Sequence, residues 1–460
     1  MKKDKSSSDE PTLLQRVIYG SLAMPLSTIG LPVSIYLAPF YAGELGLPLA
    51  LLGTAMFIAR LGDVVTDPLI GMMSDRWRPG IGRRKIWIAL GAIVMLIGVV
   101  KLFAPTSAID LPYFIIWLSV VYLGFTMLYL PHEAWGAEIS RTYKGRTRLT
   151  GTRQLFNLLG LIIATVVPAI ILMRPDATAA TVLGGMTVFM VVLLPISALL
   201  LLFFVPDITR PQAIERTQPW KESLKLLASN RPFATVAGVL LLANIGETFR
   251  ITITLFFARD VIGVQNIGMI YVYYFVVALC SVPFWVWFGN RIGKHRALGT
   301  ALGLLNVTMV FMIFLGQGQV AVFTILFLVK GFCFGSLQFL PSAMIADTID
   351  LDTYRSGDRR QGVFFAISGL GSKIGMAIGQ GLSLNLLAFV GFQSAGESGE
   401  AALGWLSFFY SILPALFIVP AMLMMFTYKL TPQEHARIKS EIERRDKERS
   451  VNEAVPSEQG

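Results

Sequence analysis

Apolar runs of about 20 residues recur along this chain, each long enough to cross a hydrocarbon layer of about 30 Å as a helix. Short clusters of charged residues, Gly and Pro separate them. Hydropathy and these breaks predict twelve helices, near 17–43, 47–75, 86–104, 111–138, 148–173, 181–205, 233–259, 266–290, 296–316, 320–350, 361–391 and 402–428. The expected organisation is a cytoplasmic N-terminus at 1–16, a six-helix bundle at 17–205 and a cytoplasmic linker at 206–232. A second six-helix bundle follows at 233–428, then a charged cytoplasmic tail at 429–460, read as a short helix or disordered. The fold class is an all-α polytopic membrane protein.

The polar breaks alternate in charge. Basic clusters follow helices 2, 4, 8 and 10, with Arg83, Arg84 and Lys85 the densest, whereas the intervening loops are short and nearly neutral, as in GQGQ at 316–319. Basic loops mark the cytoplasmic side, so an even number of spans with both termini cytoplasmic fits. The two sets of six helices also answer each other. Gly82 to Gly293, Tyr143 to Tyr354, Arg148 to Arg359 and Gly151 to Gly362 share one offset of 211 residues. A shared offset across two separate loops points to two related halves, a layout of many secondary transporters.

Composition narrows the class. The chain has 460 residues, 54% of them hydrophobic and 15% charged, with a mean hydropathy of +0.63. The net charge of +10 belongs to the loops, which argues for a lipid bilayer as partner and against nucleic acid. The polar start MKKDKSSSDE reads as no cleavable signal. Cys280 and Cys333 lie in apolar runs and lack metal-ligand spacing, and there are only 3 His, two of them in loops or the tail. An enzyme is therefore not expected, since no metal or nucleophile–base constellation is visible; no cofactor is expected either. A sensor with a carrier fold is a further class, distinguished by indifference to loss of the helix 2 acids.

Ionisable residues inside apolar spans are costly and default to functional candidates. Helix 2 carries Arg60, Asp63 and Asp67, with the two acids on one face. Asp67 lies about 12 Å from the cytoplasmic end. Pro68 withholds an N–H from the Val64 carbonyl. Two carboxylates, the Thr66 hydroxyl and that carbonyl are hard oxygen ligands suited to Na⁺. A proton can use the same pair, because burial favours an uncharged carboxyl group. The alternative is an Arg60–Asp63 pair that only holds helices together. Lys373 lies about 18 Å into helix 11, too deep to snorkel, and is expected to pair with Asp63 or Asp67 or to bind solute. Glu133 and Trp135 in helix 4 are expected to line a central cavity, the alternative for Trp135 being an interfacial anchor; Arg153 in helix 5 is read as a solute ligand or a cytoplasmic anchor, and Gln338 in helix 10 as a further candidate. Glu247 and Arg250 in helix 7 have the spacing of a local ion pair. Asp347 and Asp350, facing the basic residues Arg141 and Arg359, are read as a cytoplasmic gate; the alternative is solvated surface pairs worth about 0–1 kcal/mol each.

Two patterns carry a family resemblance. One is Arg60-x-x-Asp63-x-x-x-Asp67-Pro68 with the loop ending Gly82-Arg83-Arg84-Lys85; the other runs Ala346-Asp347, Asp350, Tyr354, Gly357, Arg359. Together they resemble the glycoside–pentoside–hexuronide:cation symporters of the major facilitator superfamily, and the resemblance spans essentially the whole chain. It implies twelve helices in two pseudo-symmetric halves, a coupling ion that is Na⁺ or H⁺, and a small organic solute: a sugar, glycoside or uronide. It also implies a monomer in a cell inner membrane. Lys373 and Arg153 fall where the family has a helix 11 lysine and a helix 5 arginine. Tyr129 falls where melibiose permease has a helix 4 Asp, with Thr126 one turn before as a cation ligand. Thr66 replaces an Asn, and no acid occurs between Tyr19 and Phe40 to answer a helix 1 sugar ligand. The resemblance leaves a carrier of lysophospholipid or another anionic amphiphile as the alternative.

Overall fold

Twelve helices among the described residues are long and apolar enough to cross a membrane. The structure is a computed structural model, which describes residues 11–77, 82–106, 109–140, 143–206, 230–356, 360–393 and 398–454. The helices are α1 (Leu13–Ile35), α2 (Leu49–Arg76), α3 (Lys85–Phe103), α4 (Leu111–Ile139), α5 (Tyr143–Ile171) and α6 (Ala179–Phe204). The second set is α7 (Arg231–Phe256, prolonged by a wider turn Phe257–Ile262), α8 (Ile267–Ile292), α9 (Lys294–Phe311), α10 (Val320–Leu337 and Leu340–Ser356), α11 (Gln361–Phe389) and α12 (Glu400–Phe426). A surface helix, α13 (Pro432–Ala454), follows.

Local chemistry sets the helix starts. Asp110 accepts from the Tyr113 amide at 2.9 Å, Asn230 from that of Phe233 at 3.2 Å, and Thr178 opens α6 with a capping box. Pro112 and Pro232 sit in first turns, where an amide would be unpaired anyway. The break in α10 at Gln338–Phe339 departs from the single helix expected over 320–350. Pro341 cannot donate to the Leu337 carbonyl, and the helix restarts with proline in its first turn.

Two six-helix halves meet along two seams, α2 against α11 and α5 against α8. Contact is concentrated at the end remote from the basic loops. There the Thr54 hydroxyl donates to the Asn385 side-chain oxygen at 3.3 Å, and the Asn266 side-chain amide donates to the Ala169 carbonyl at 3.0 Å. Tyr36, Tyr41 and Leu52 of the first half share one buried apolar core with Phe249, Tyr271 and Tyr410 of the second. At the basic end each ion pair stays within one half. Arg83 and Arg84 hold Glu138, Lys294 holds Asp347 and Arg360 holds Asp352. No ion pair among the described residues joins the halves at that end. The described contacts thus hold the two halves together at the far end.

Candidate functional site

The helix 2 acids meet the helix 11 lysine across the α2–α11 seam. Asp63 and Asp67 are one turn apart on α2, and Lys373 comes from the opposite half. The Lys373 ammonium donates to Asp67 Oδ2 and lies 3.9 Å from Asp63 Oδ2. The other oxygen of Asp67 accepts from the Thr126 hydroxyl at 2.9 Å. Arg60 Nη1 stands 3.5 Å from Asp63 Oδ2, and its guanidinium lies over the Tyr122 ring, 4.5 Å from the centroid. Asp63 is almost fully buried, while Asp67 and Lys373 are about a quarter exposed. Two cations thus face two carboxylates, so the cluster is neutral without a bound ion. Thr66 stands apart. Its hydroxyl is buried and has no hydrogen-bond partner among the described residues. One residue along a helix turns a side chain by about 100°, which separates Thr66 from the shared face of the acids.

A second group lies wholly in the first half. Arg153 on α5 bonds to Glu133 on α4 at the wall of an open cavity of about 130 Å³. Tyr129, half exposed into it, stacks on Phe125 with ring centroids 5.5 Å apart. Gln154 and Asn157 add side-chain amides to the same wall. His132 also lines it: its Nε2 lies 2.8 Å from the Tyr19 carbonyl, and the Tyr19 hydroxyl donates to the His132 carbonyl at 2.9 Å. These reciprocal bonds fix α1 to α4 behind the cavity. The signal in the sequence was a polar residue after Pro131 in an apolar span.

Trp135 does not line this cavity. It is fully buried, and its indole donates to the Pro206 carbonyl at 3.2 Å. Two residues beyond Glu133 carry a side chain about 200° round the helix, to the packed face. Gln338 is exposed at the α10 break and is not among the residues that line this cavity. Asp347 and Asp350 turn toward their own half: Asp347 accepts from Lys294 at 2.7 Å, and His435 of α13 lies 3.6 Å from Asp347 and 2.9 Å from Asp350. Arg141 and Arg359 lie outside the described residues. Lys330, overlooked in the sequence, is buried against Glu247 at 3.2 Å beside the expected Glu247–Arg250 pair. Its signal was the one that marked Lys373, an ionisable residue deep in an apolar span.

A twelve-helix bundle of two halves with a charged cluster on their seam defines a membrane carrier of the major facilitator class. Residues 18–432 match the model of the MFS/sugar transport protein family, and the chain belongs to that family. It is 25% identical to the putative glycoside/cation symporter YagG of Escherichia coli K12, over 97% of each chain. It is 24% identical to the isoprimeverose transporter of Lactiplantibacillus pentosus, over 86% of this chain and 85% of that one. Among solved structures, an inward-facing bacterial homologue of the human lysosomal transporter Spinster superposes with a TM-score of 0.63. It is 14% identical and covers 92% of this chain and all of its own. The resemblance read from helix 2 and the α10–α11 junction is borne out by this membership.

Proposed function

We propose that this chain is a cation-coupled symporter. It moves a sugar, glycoside, uronide or related organic solute across a cell inner membrane by alternating access. The basic end is cytoplasmic, so the arrangement described is inward-facing with its outer end closed. The bundles at 17–205 and 233–428 are the moving bodies; that one relative is named a putative glycoside/cation symporter and another an isoprimeverose transporter supports the reading.

The observation that carries it is the bond between Lys373 and Asp67, which ties the two halves at a charged site within the membrane. A coupling ion, Na⁺ or H⁺, takes the place of the ammonium. For Na⁺ the ligands are the carboxylates of Asp63 and Asp67 and the Thr126 hydroxyl, all hard oxygens. Exchange of ammonium for the ion removes a charged tie across the seam and frees Lys373. Arg153, Glu133 and the amides of Gln154 and Asn157 offer paired donors and acceptors to solute hydroxyls, and Tyr129 offers a flat face.

The test is thermal unfolding of the purified protein in NaCl, LiCl and choline chloride from mildly acidic to mildly alkaline pH, with Asp67→Asn alongside. Stabilisation specific to Na⁺ and lost in the variant supports sodium coupling. A pH dependence without ion specificity, lost in the variant, supports proton coupling. Normal concentrative uptake by Asp67→Asn overturns the site.

A further inference from the structure

A second charged cluster takes no part in the site above. Glu247 and Arg250 on α7 meet Lys330 on α10 inside the second half. Arg250 Nη2 donates to Glu247 Oε2 at 3.1 Å, and the Lys330 ammonium stands 3.2 Å from the same oxygen. Arg250 is 0% exposed and Lys330 2%. Glu247 Oε1 accepts no hydrogen bond among the described residues. Arg250 Nη1 donates to the Tyr410 hydroxyl at 3.1 Å, and the ammonium lies 5.3 Å from the ring centroids of Tyr274 and Phe327.

Two cations against one carboxylate leave one positive charge in excess. Cation–π contacts return less than an uncompensated charge costs in an apolar interior. Arginine does not give up its proton, whereas lysine can, so Lys330 is the group able to relieve the excess. The titratable groups facing it are Glu247 and Arg250 on α7, Tyr271 and Tyr274 on α8, and Tyr410 on α12, with Cys333 one turn on along α10. Helix α9 also packs on α10, but its titratable residues, Lys294 to Arg296, lie at its inner end.

The position of the cluster links it to the outer seal. Tyr271, Tyr274, Phe327 and Tyr410 belong to the same buried core as Tyr36 and Tyr41 of the first half. Opening the outer end takes that core apart and brings water toward Lys330.

We propose that Lys330, held by Glu247 and Arg250, is a proton-binding site served from the outer compartment: uncharged while the outer seal is closed, protonated when it opens. Closing then releases one proton outward, so acid outside favours the open form and alkali the closed one. The inference rests on the alternating movement of the halves, but not on the solute or the coupling ion.

The experiment reads the outer seal directly. Asn385→Cys in a Cys280→Ser background is reacted with a membrane-impermeant maleimide, in otherwise native protein and in Lys330→Met and Lys330→Arg. At any one pH the Met variant is expected to react slowest and the Arg variant fastest. Native protein moves from the Arg-like to the Met-like rate as outer pH rises, by up to about tenfold per pH unit relative to the Arg variant. Lys330→Gln replaces the Met variant if that one fails to reach the membrane, although Met leaves a neutral Glu247–Arg250 pair and should fold. A Met or Gln variant indistinguishable from native protein at every pH overturns the proposal. So does an Arg variant that matches native protein at every pH, because the lysine is then a fixed charge.

Discussion

At the scale of single residues, Lys373 is the informative position, because on the proposed mechanism it gives way to the coupling ion. Lys373→Met removes the only cation in direct hydrogen-bond contact with Asp67 among the described residues. A carboxylate left with the Thr126 hydroxyl alone loses roughly 1–3 kcal/mol. The variant should therefore unfold at lower temperature in choline chloride and be rescued by the coupling ion at a lower concentration than native protein needs. A variant whose ion response is unchanged would show that Lys373 does not occupy the ion's place. The four charged residues of this cluster, Arg60, Asp63, Asp67 and Lys373, were legible in the sequence, since a charge in an apolar span announces itself. What the sequence withheld was facing. Trp135 and Thr66 stand within two residues of Glu133 and Asp67, yet the helix turns them elsewhere, and a position at one residue's remove says little about which wall it reaches. Lys330 was legible by the same rule as Lys373.

At the scale of elements, two glycines show where helices are packed for stability and where they are packed to part. A Cβ on Gly160 of α5 would stand 2.3 Å from the Met24 carbonyl oxygen of α1, inside the first half. A Cβ on Gly53 of α2 would meet the Leu384 Cβ at 2.8 Å and the Gly381 carbonyl oxygen at 3.1 Å, both on α11 across the seam. Overpacking of this kind typically costs about 1–3 kcal/mol. Gly160→Ala should lower thermal stability by that amount, because α1 and α5 stay together throughout. Gly53→Ala should leave stability nearly unchanged and instead open the outer end, raising maleimide reaction at Asn385→Cys. Equal loss of stability in both would mean that the α2–α11 seam does not part. The helices themselves were read closely from hydropathy and from clusters of Pro, Gly and charge. The α10 break was the exception, because a proline in an apolar run is silent about whether the helix bends or restarts.

At the scale of the whole molecule, the division into halves was legible because two separate loops share one repeat offset of 211 residues. The direction of opening was not, since it depends on which end of the seam is in contact. The acidic end of α10 illustrates the point. Asp347 and Asp350 are gate-like in sequence, yet here they are held by Lys294 and by His435 of α13, within one half. On the proposed inward-facing arrangement the inner ends separate while the outer ends hold. The side chains of Thr54 and Asn385, 3.3 Å apart, mark the outer seam from both halves. Cysteines at these two positions should form a disulfide under mild oxidation, because the sealed state brings the side chains together. The bond would block opening to the outside and stop uptake, and a reductant should restore it. Ion-dependent thermal stabilisation should survive the bond, since the α2 acids remain reachable from the parted inner end. Uptake that continues in the oxidised protein would mean that this seam does not separate during transport, and that solute and ion travel without alternation of the two halves.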